Sequence, residues 1–249
     1  MKAFAIYASL WALLSLVLPL ESMLLPDCFN TLRASAKLFI EGHLLRDLAI
    51  TAARTFVGVA GALIVGGILG IGIGRTKFYR DFVSPALDFI RSIPVAMLFP
   101  LFIILSGIGE ISRFFMVLTL ATPILIISVA SGLNEAFAQR DLRIWFDIHK
   151  STIPRWVPLI SMAWTLMPGI ISGVKSAISL GLVMVVVSEM LFVSSSGVGY
   201  AAYQAYNAFN MPEMYAYILI TGMVGFSMNV AFDRVSSFFY IDEQSSIKL

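Results

Sequence analysis

The stretch PGIISGVKSAISLGLVMVVVSEMLFV, Pro168 to Val193, decides the fold class. It carries two charged residues, Lys175 and Glu189, with nothing charged between them. A soluble amphipathic helix alternates an apolar stripe with a polar face. This segment is apolar all round and long enough to cross a hydrocarbon layer, which takes about 20 residues. Further apolar runs lie at about Ile50 to Gly74, Ile93 to Ser106, Phe114 to Leu133 and Tyr215 to Phe232, with another at Ala3 to Leu20. Together they predict an all-α integral membrane protein of about six transmembrane helices.

Composition agrees. Of 249 residues, 59% are hydrophobic and 13% charged, and the mean hydropathy is +0.88. Chain length is consumed by the spans, so no large extramembrane domain fits. A net charge of +2 with dispersed basic residues gives no nucleic-acid footprint. Cys28 is the only cysteine, which excludes an intramolecular disulfide and a cysteine-based metal site.

The run after Met1 and Lys2 has the layout of a secretory signal, but no small-x-small site follows Leu20, and it reads as a retained helix. Phe29, Leu32, Ala36, Phe39 and Ile40 share one face of a surface amphipathic helix. The organisation expected is a first helix and external amphipathic segment over 1–49, a core over 50–234 and a cytoplasmic tail over 235–249. Cytoplasmic loops retain the excess of Lys and Arg. With the amino terminus inside, most of the 17 basic residues fall on the cytoplasmic side, against Arg33, Lys37, Arg46, Arg54 and Arg113 outside. Both termini are then cytoplasmic, in the inner membrane.

Gly66, Gly70 and Gly74 form a stripe that lets helices approach closely in lipid. Pro85, Pro94 and Pro100 crowd the third span, and both bent helices beside a pathway and bent helices in a static bundle account for them. Gly70, Gly72, Gly74 and Arg75 superficially suggest a nucleotide loop, but they close an apolar span instead of joining a strand to a helix. The sequence shows no catalytic constellation: no serine elbow, no histidine pair at ligand spacing, no paired intramembrane aspartates.

Glu189 is costly in or near lipid and faces the bundle interior. Two readings are open, a polar element of a solute pathway or gate, and a structural carboxylate bonded near the outer interface. Ser188, Met184, Pro94 and Met97 are the other pathway candidates. Lys175 and Arg54 are expected to snorkel to opposite interfaces. The longest cytoplasmic loop, 134–167, places Leu142, Trp145, Phe146 and His149 on one helical face, with Arg143, Asp147 and Lys150 elsewhere. It is either an interfacial helix on lipid or a knob that docks a partner through Trp145 and Phe146.

Several segments in order now carry a resemblance: Arg54 with Gly58; Arg91, Ser92, Ile93 and Pro94 with Pro100; the Gly107, Ile108, Gly109 turn; Pro168, Gly169 and Ile170 through Gly173 and Lys175 to Ser188, Glu189, Met190 and Leu191; then Gly197, Gly199 and Tyr200. From Leu25 and Pro26 to about Asp233 the chain resembles permease subunits of binding-protein-dependent ABC importers of the nitrate, sulfonate and taurine type. The resemblance implies a type I importer permease bundle working by alternating access. Its partners would be two cytoplasmic ATP-binding subunits, a second permease chain in a homodimer or heterodimer, an external solute-binding protein and the lipid bilayer. ATP and Mg would sit on the partner ATPase, this chain binding no cofactor and being no enzyme itself. The coupling motif of such permeases falls on loop 134–167, which makes Leu142, Arg143, Trp145, Phe146, Asp147 and His149 the candidate ATPase contacts. Its Glu-Ala-Ala positions are here Phe146, Asp147 and Ile148, its glycine is Thr152, and the proline of its ending is Thr165. A second permease with an intact motif, an ATPase with a matching cleft, and impaired coupling all fit that departure. A secondary transporter and a non-transporting structural or assembly subunit are the alternatives.

Overall fold

The computed structural model describes residues 11, 26–74, 76–138, 156–191 and 196–246. Every regular element among them is helical. In chain order they are α1 (Cys28–Ile40), α2 (His43–Ile73), a π-helical turn (Tyr79–Val83), α3 (Ser84–Ser92), a 3-10 turn (Val95–Leu98), α4 (Phe99–Ser106), α5 (Glu110–Ala138), α6 (Trp156–Leu191), α7 (Val198–Asn207) and α8 (Met211–Ser246). Four stretches are long and apolar enough to cross a membrane: His43–Gly72, Glu110–Asn134, Leu166–Leu191 and Met211–Arg234. The pair Asp81–Ser92 and Val95–Ser106, bent by 82°, makes a fifth if it is one broken span. The expected first span at Ala3 to Leu20 lies outside the described residues except for Trp11, whose ring stacks on Tyr215 at 6.3 Å.

The third span is therefore not one helix starting at Ile93. Pro94 disfavours the α region for its predecessor, and Ile93 is extended at φ −79° and ψ 122°. The helix stops there and restarts after Pro94 as a 3-10 turn. Pro85 follows the π-helical turn within the helical run Asp81–Ser92, and Pro100 follows the 3-10 turn within Val95–Ser106, so each falls where its helix changes hydrogen-bond register.

The chain divides into two compact units, Met1–Arg54 with Val185–Phe226, and Thr55–Met184 with Ser227–Leu249. In the first, α1, the start of α2, α7 and the start of α8 bury Leu38, Leu44, Val198, Ala202, Ala216, Tyr217 and Ile220 together. In the second, α5 is the common partner. Gly66 and Gly70 of α2, and Gly74 just after it, meet Leu125, Val129 and Ala130 of α5, where a β-carbon would stand 2.8 Å from a side-chain atom in each case. These glycines pack one helix against another. Gly173 of α6 presses against Ser128, and Leu166 and Ile170 close over Val129 and Leu133. The turn before α5 uses Gly107 at φ +76°, whose carbonyl accepts the buried Ser112 hydroxyl.

Candidate functional site

The polar constellation of the first unit is built on α2. Asp47, Thr51 and Arg54 recur at i, i+4 and i+7, so one helical face carries all three. Glu189, near the end of α6, is fully buried, and the Arg54 side chain opposite it is 11% exposed. Arg54 Nη1 donates to Glu189 Oε1 at 2.7 Å. Thr51 Oγ1 lies 2.9 Å from both carboxylate oxygens, and the Gly199 N–H donates to Oε2 at 2.9 Å.

The same groups hold the start of α7. A helix begins with N–H groups that have no partner in the helix. Here three of them find a side chain from elsewhere: Gly197 N–H donates to Asp47 Oδ1 at 3.1 Å, Val198 N–H to Thr51 Oγ1 at 3.0 Å, and Gly199 N–H to Glu189. Two carboxylates at this end also complement the helix dipole. Arg54 completes the clamp by donating to the Ser196 carbonyl at 2.9 Å, with its Nη2 3.2 Å from the Ser196 hydroxyl. Gly197 adopts φ +109°, and a β-carbon there would stand 2.2 Å from Glu189 Oε1; at Gly199 it would stand 2.2 Å from the Val186 carbonyl. Both positions need glycine, one for conformation and space, the other for space alone.

Arg54 thus does not snorkel; a buried carboxylate within reach outcompetes the interface because an unpaired charge there is far costlier. Glu189 accepts from Arg54, Thr51 and the Gly199 N–H. Ser188 is buried beside it, but its hydroxyl bonds back to the Val185 carbonyl of its own helix. Met184, Pro94 and Met97 belong to the other unit, Met184 buried, Pro94 exposed and Met97 74% exposed. Lys175 pairs with Asp233, and one turn along the same two helices Ser179 Oγ donates to Asn229 at 2.7 Å. Leu142, Arg143, Trp145, Phe146, Asp147 and His149 lie outside the described residues; the flanks of their loop, 134–138 and 156–167, are helical. Among the described residues no group of His, Cys, Asp and Glu could hold a metal. Asp47, Thr51 and Ser196 belong to this polar cluster without standing out in the sequence, although the spacing of Asp47 and Thr51 with Arg54 marks a polar face on an otherwise apolar helix.

No family model matches the chain. Over 223 residues, 89% of this chain and 79% of its relative, it is 24% identical to the putative aliphatic sulfonates transport permease protein SsuC of Bacillus subtilis (strain 168). It is 27% identical over 172 residues, 69% of this chain and 61% of the relative, to the nitrate import permease protein NrtB of Synechocystis sp. (strain ATCC 27184 / PCC 6803 / Kazusa). Among solved structures, a chain of the MetNI methionine ABC transporter in an inward-facing conformation superposes with a TM-score of 0.65 at 20% identity, covering 80% of this chain and 97% of that one. A multi-pass membrane protein with the fold of an ABC importer permease, the chain is by sequence a relative of proteins named as ABC transporter permeases.

Proposed function

We propose that the chain is the translocation subunit of an ATP-driven importer for a small anion or organic solute, set in the inner membrane with both termini cytoplasmic. The observation that carries this reading is a permease-like sequence over 89% of the chain joined to an importer permease fold. Two ATP-binding subunits, a second permease chain and an external solute-binding protein complete the assembly. ATP and Mg are held by the ATP-binding subunits; this chain supplies the pathway and the surface that receives their motion.

Alternating access needs two packings of one bundle separated by a few kcal/mol. The 82° break at Ile93 and Pro94 supports a joint in the wall, with Pro94 and Met97 at it. Close α2–α5 contacts through glycine support rigid-body movement without side-chain repacking. Met184, Ser188 and Glu189 line or brace the pathway, Glu189 by fixing the loop into α7. Loop 134–167 is the point of energy input, with Leu142, Arg143, Trp145, Phe146, Asp147 and His149 as the contact set.

Copurification from membranes tests the reading. The chain, expressed with its neighbouring subunits and extracted gently, brings down an ATP-binding subunit, and the reconstituted complex takes up solute only with ATP and the external binding protein. Uptake driven by an ion gradient in the chain alone would replace this reading with a secondary transporter.

A further inference from the structure

Helix α1 has three faces. Thr31, Ala34 and Leu38 turn into the core of the first unit. Nearly opposite, Phe29, Leu32, Phe39 and Ile40 remain 71%, 57%, 49% and 86% exposed. On the remaining side Arg33 and Lys37 border a groove of about 750 Å³, which Glu41 and Glu213 share and whose apolar rim is Ala36 and Ile40.

The position of this helix limits what can cover it. At 13 residues α1 is about 20 Å long, too short to cross a bilayer. The turn at Glu41 and Gly42, the glycine at φ +75°, joins it directly to the membrane-crossing α2. Four large apolar side chains are therefore held at the end of a span, the depth at which amphipathic helices rest between headgroups and acyl chains. Cationic side chains at that depth attract lipid phosphate. Arg33 has no carboxylate partner among the described residues, and Lys37 Nζ stands 3.6 Å from Glu41 Oε1 with both side chains well exposed. A purely anionic headgroup would meet two carboxylates across the groove, whereas a head carrying phosphate and ammonium satisfies both signs.

We propose that α1 is an interfacial helix whose groove seats a phosphatidylethanolamine-type lipid, phosphate on Arg33 and Lys37, ammonium toward Glu41 and Glu213, and acyl chains along the stripe from Phe29 to Ile40. This site depends on the chain being a membrane protein and not on its transporting anything.

Cys28, the only cysteine and the first residue of α1, offers a label outside the groove. In the full chain reconstituted in nanodiscs, a nitroxide on Cys28 should be reached by oxygen more than by a water-soluble nickel complex. A fully water-exposed label, or one shielded only when a second copy or another protein is added, overturns the interfacial placement. Lipid retained through purification should favour phosphatidylethanolamine over phosphatidylglycerol by about fivefold, the size expected for one charged contact at a membrane surface. Arg33→Ala with Lys37→Ala should lower that retention by at least as much, Arg33→Lys should preserve it, and Glu213→Gln should erase the preference. Equal retention of the two lipids, retention indifferent to these variants, or equal binding of soluble glycerophosphoethanolamine overturns the lipid site.

Discussion

Arg54 Nη1 bridges Glu189 Oε1 at 2.7 Å and the Ser196 carbonyl at 2.9 Å, so one guanidinium ties the end of a membrane helix to the loop that follows it. Removing either member of a buried pair leaves the other charge uncompensated, at about 3–5 kcal/mol. Arg54→Met and Glu189→Leu should each lower the detergent-solubilised protein's unfolding free energy by an amount in that range. The double variant should cost less than the sum, with the remainder set by the lost N-terminal bonds of α7, about 1–2 kcal/mol. Strict additivity would mean that the two side chains do not act as a pair.

Glu189→Gln separates the charge from the acceptor. The amide oxygen can still receive Gly199 N–H, while Arg54 loses its counter-charge. Stability should therefore fall less than in Glu189→Leu, and uptake should fall with the amount of folded protein. Uptake lost beyond the loss of folded protein would assign the carboxylate a gating role in addition to its bracing one.

Gly197 is strained for any other residue because φ +109° lies where L side chains rarely go, and because its β-carbon would overlap Glu189. Gly197→Ala should cost at least about 2 kcal/mol in a denaturation measurement. A neutral result would show that the loop reaches the Glu189 clamp by a different backbone path.

How much of this was legible in the sequence depends on range. The spans follow from composition along the chain; the break at Ile93 and Pro94 does not, since Pro123 and Pro168 sit inside continuous helices. The other arm of that break, Asp81–Ser92, was not read as part of a span because Asp81, Asp88 and Arg91 dilute its apolar content. Glu189 stood out as an ionisable group in an apolar run. Its partner lies 135 residues earlier, and no local periodicity encodes a contact at that separation. Arg54 looked like a residue near a helix end, and only the fold brings Asp47, Thr51 and Arg54 against the start of α7.

The α2 glycines offer an internal control. Gly70 faces Val129 and Ile126, and an added β-carbon would stand 2.8 Å from Val129 Cβ and 3.1 Å from the Ile126 carbonyl; Gly67, on the same helix, has nothing within 4 Å. Gly70→Val should cost about 1–3 kcal/mol through overpacking. Gly67→Ala should be neutral or stabilising, since alanine is the better helix former. Equal effects at both positions would remove close α2–α5 packing as the reason for the stripe.

Trp145 and Phe146 carry the proposal about energy input, and their chemistry separates docking from mere contact with lipid. As docking anchors they would fill a pocket on the ATP-binding subunit, and truncation of such aromatic residues costs 2 kcal/mol or more, about a 30-fold loss of affinity. Trp145→Ala with Phe146→Ala should then release the ATP-binding subunit during copurification and abolish solute-stimulated ATP hydrolysis, while the chain still inserts and folds. If the two rings only rest on lipid, assembly and hydrolysis stay intact. Restoring the Glu-Ala-Ala pattern, by Phe146→Glu with Asp147→Ala and Ile148→Ala, tests the cleft from the other side. A partner cleft shaped for the bulky version should bind the small-residue loop more weakly, whereas a standard cleft should bind it more tightly. The sign of that change decides whether the altered loop is a matched pair with its ATPase or a surface that has lost its partner.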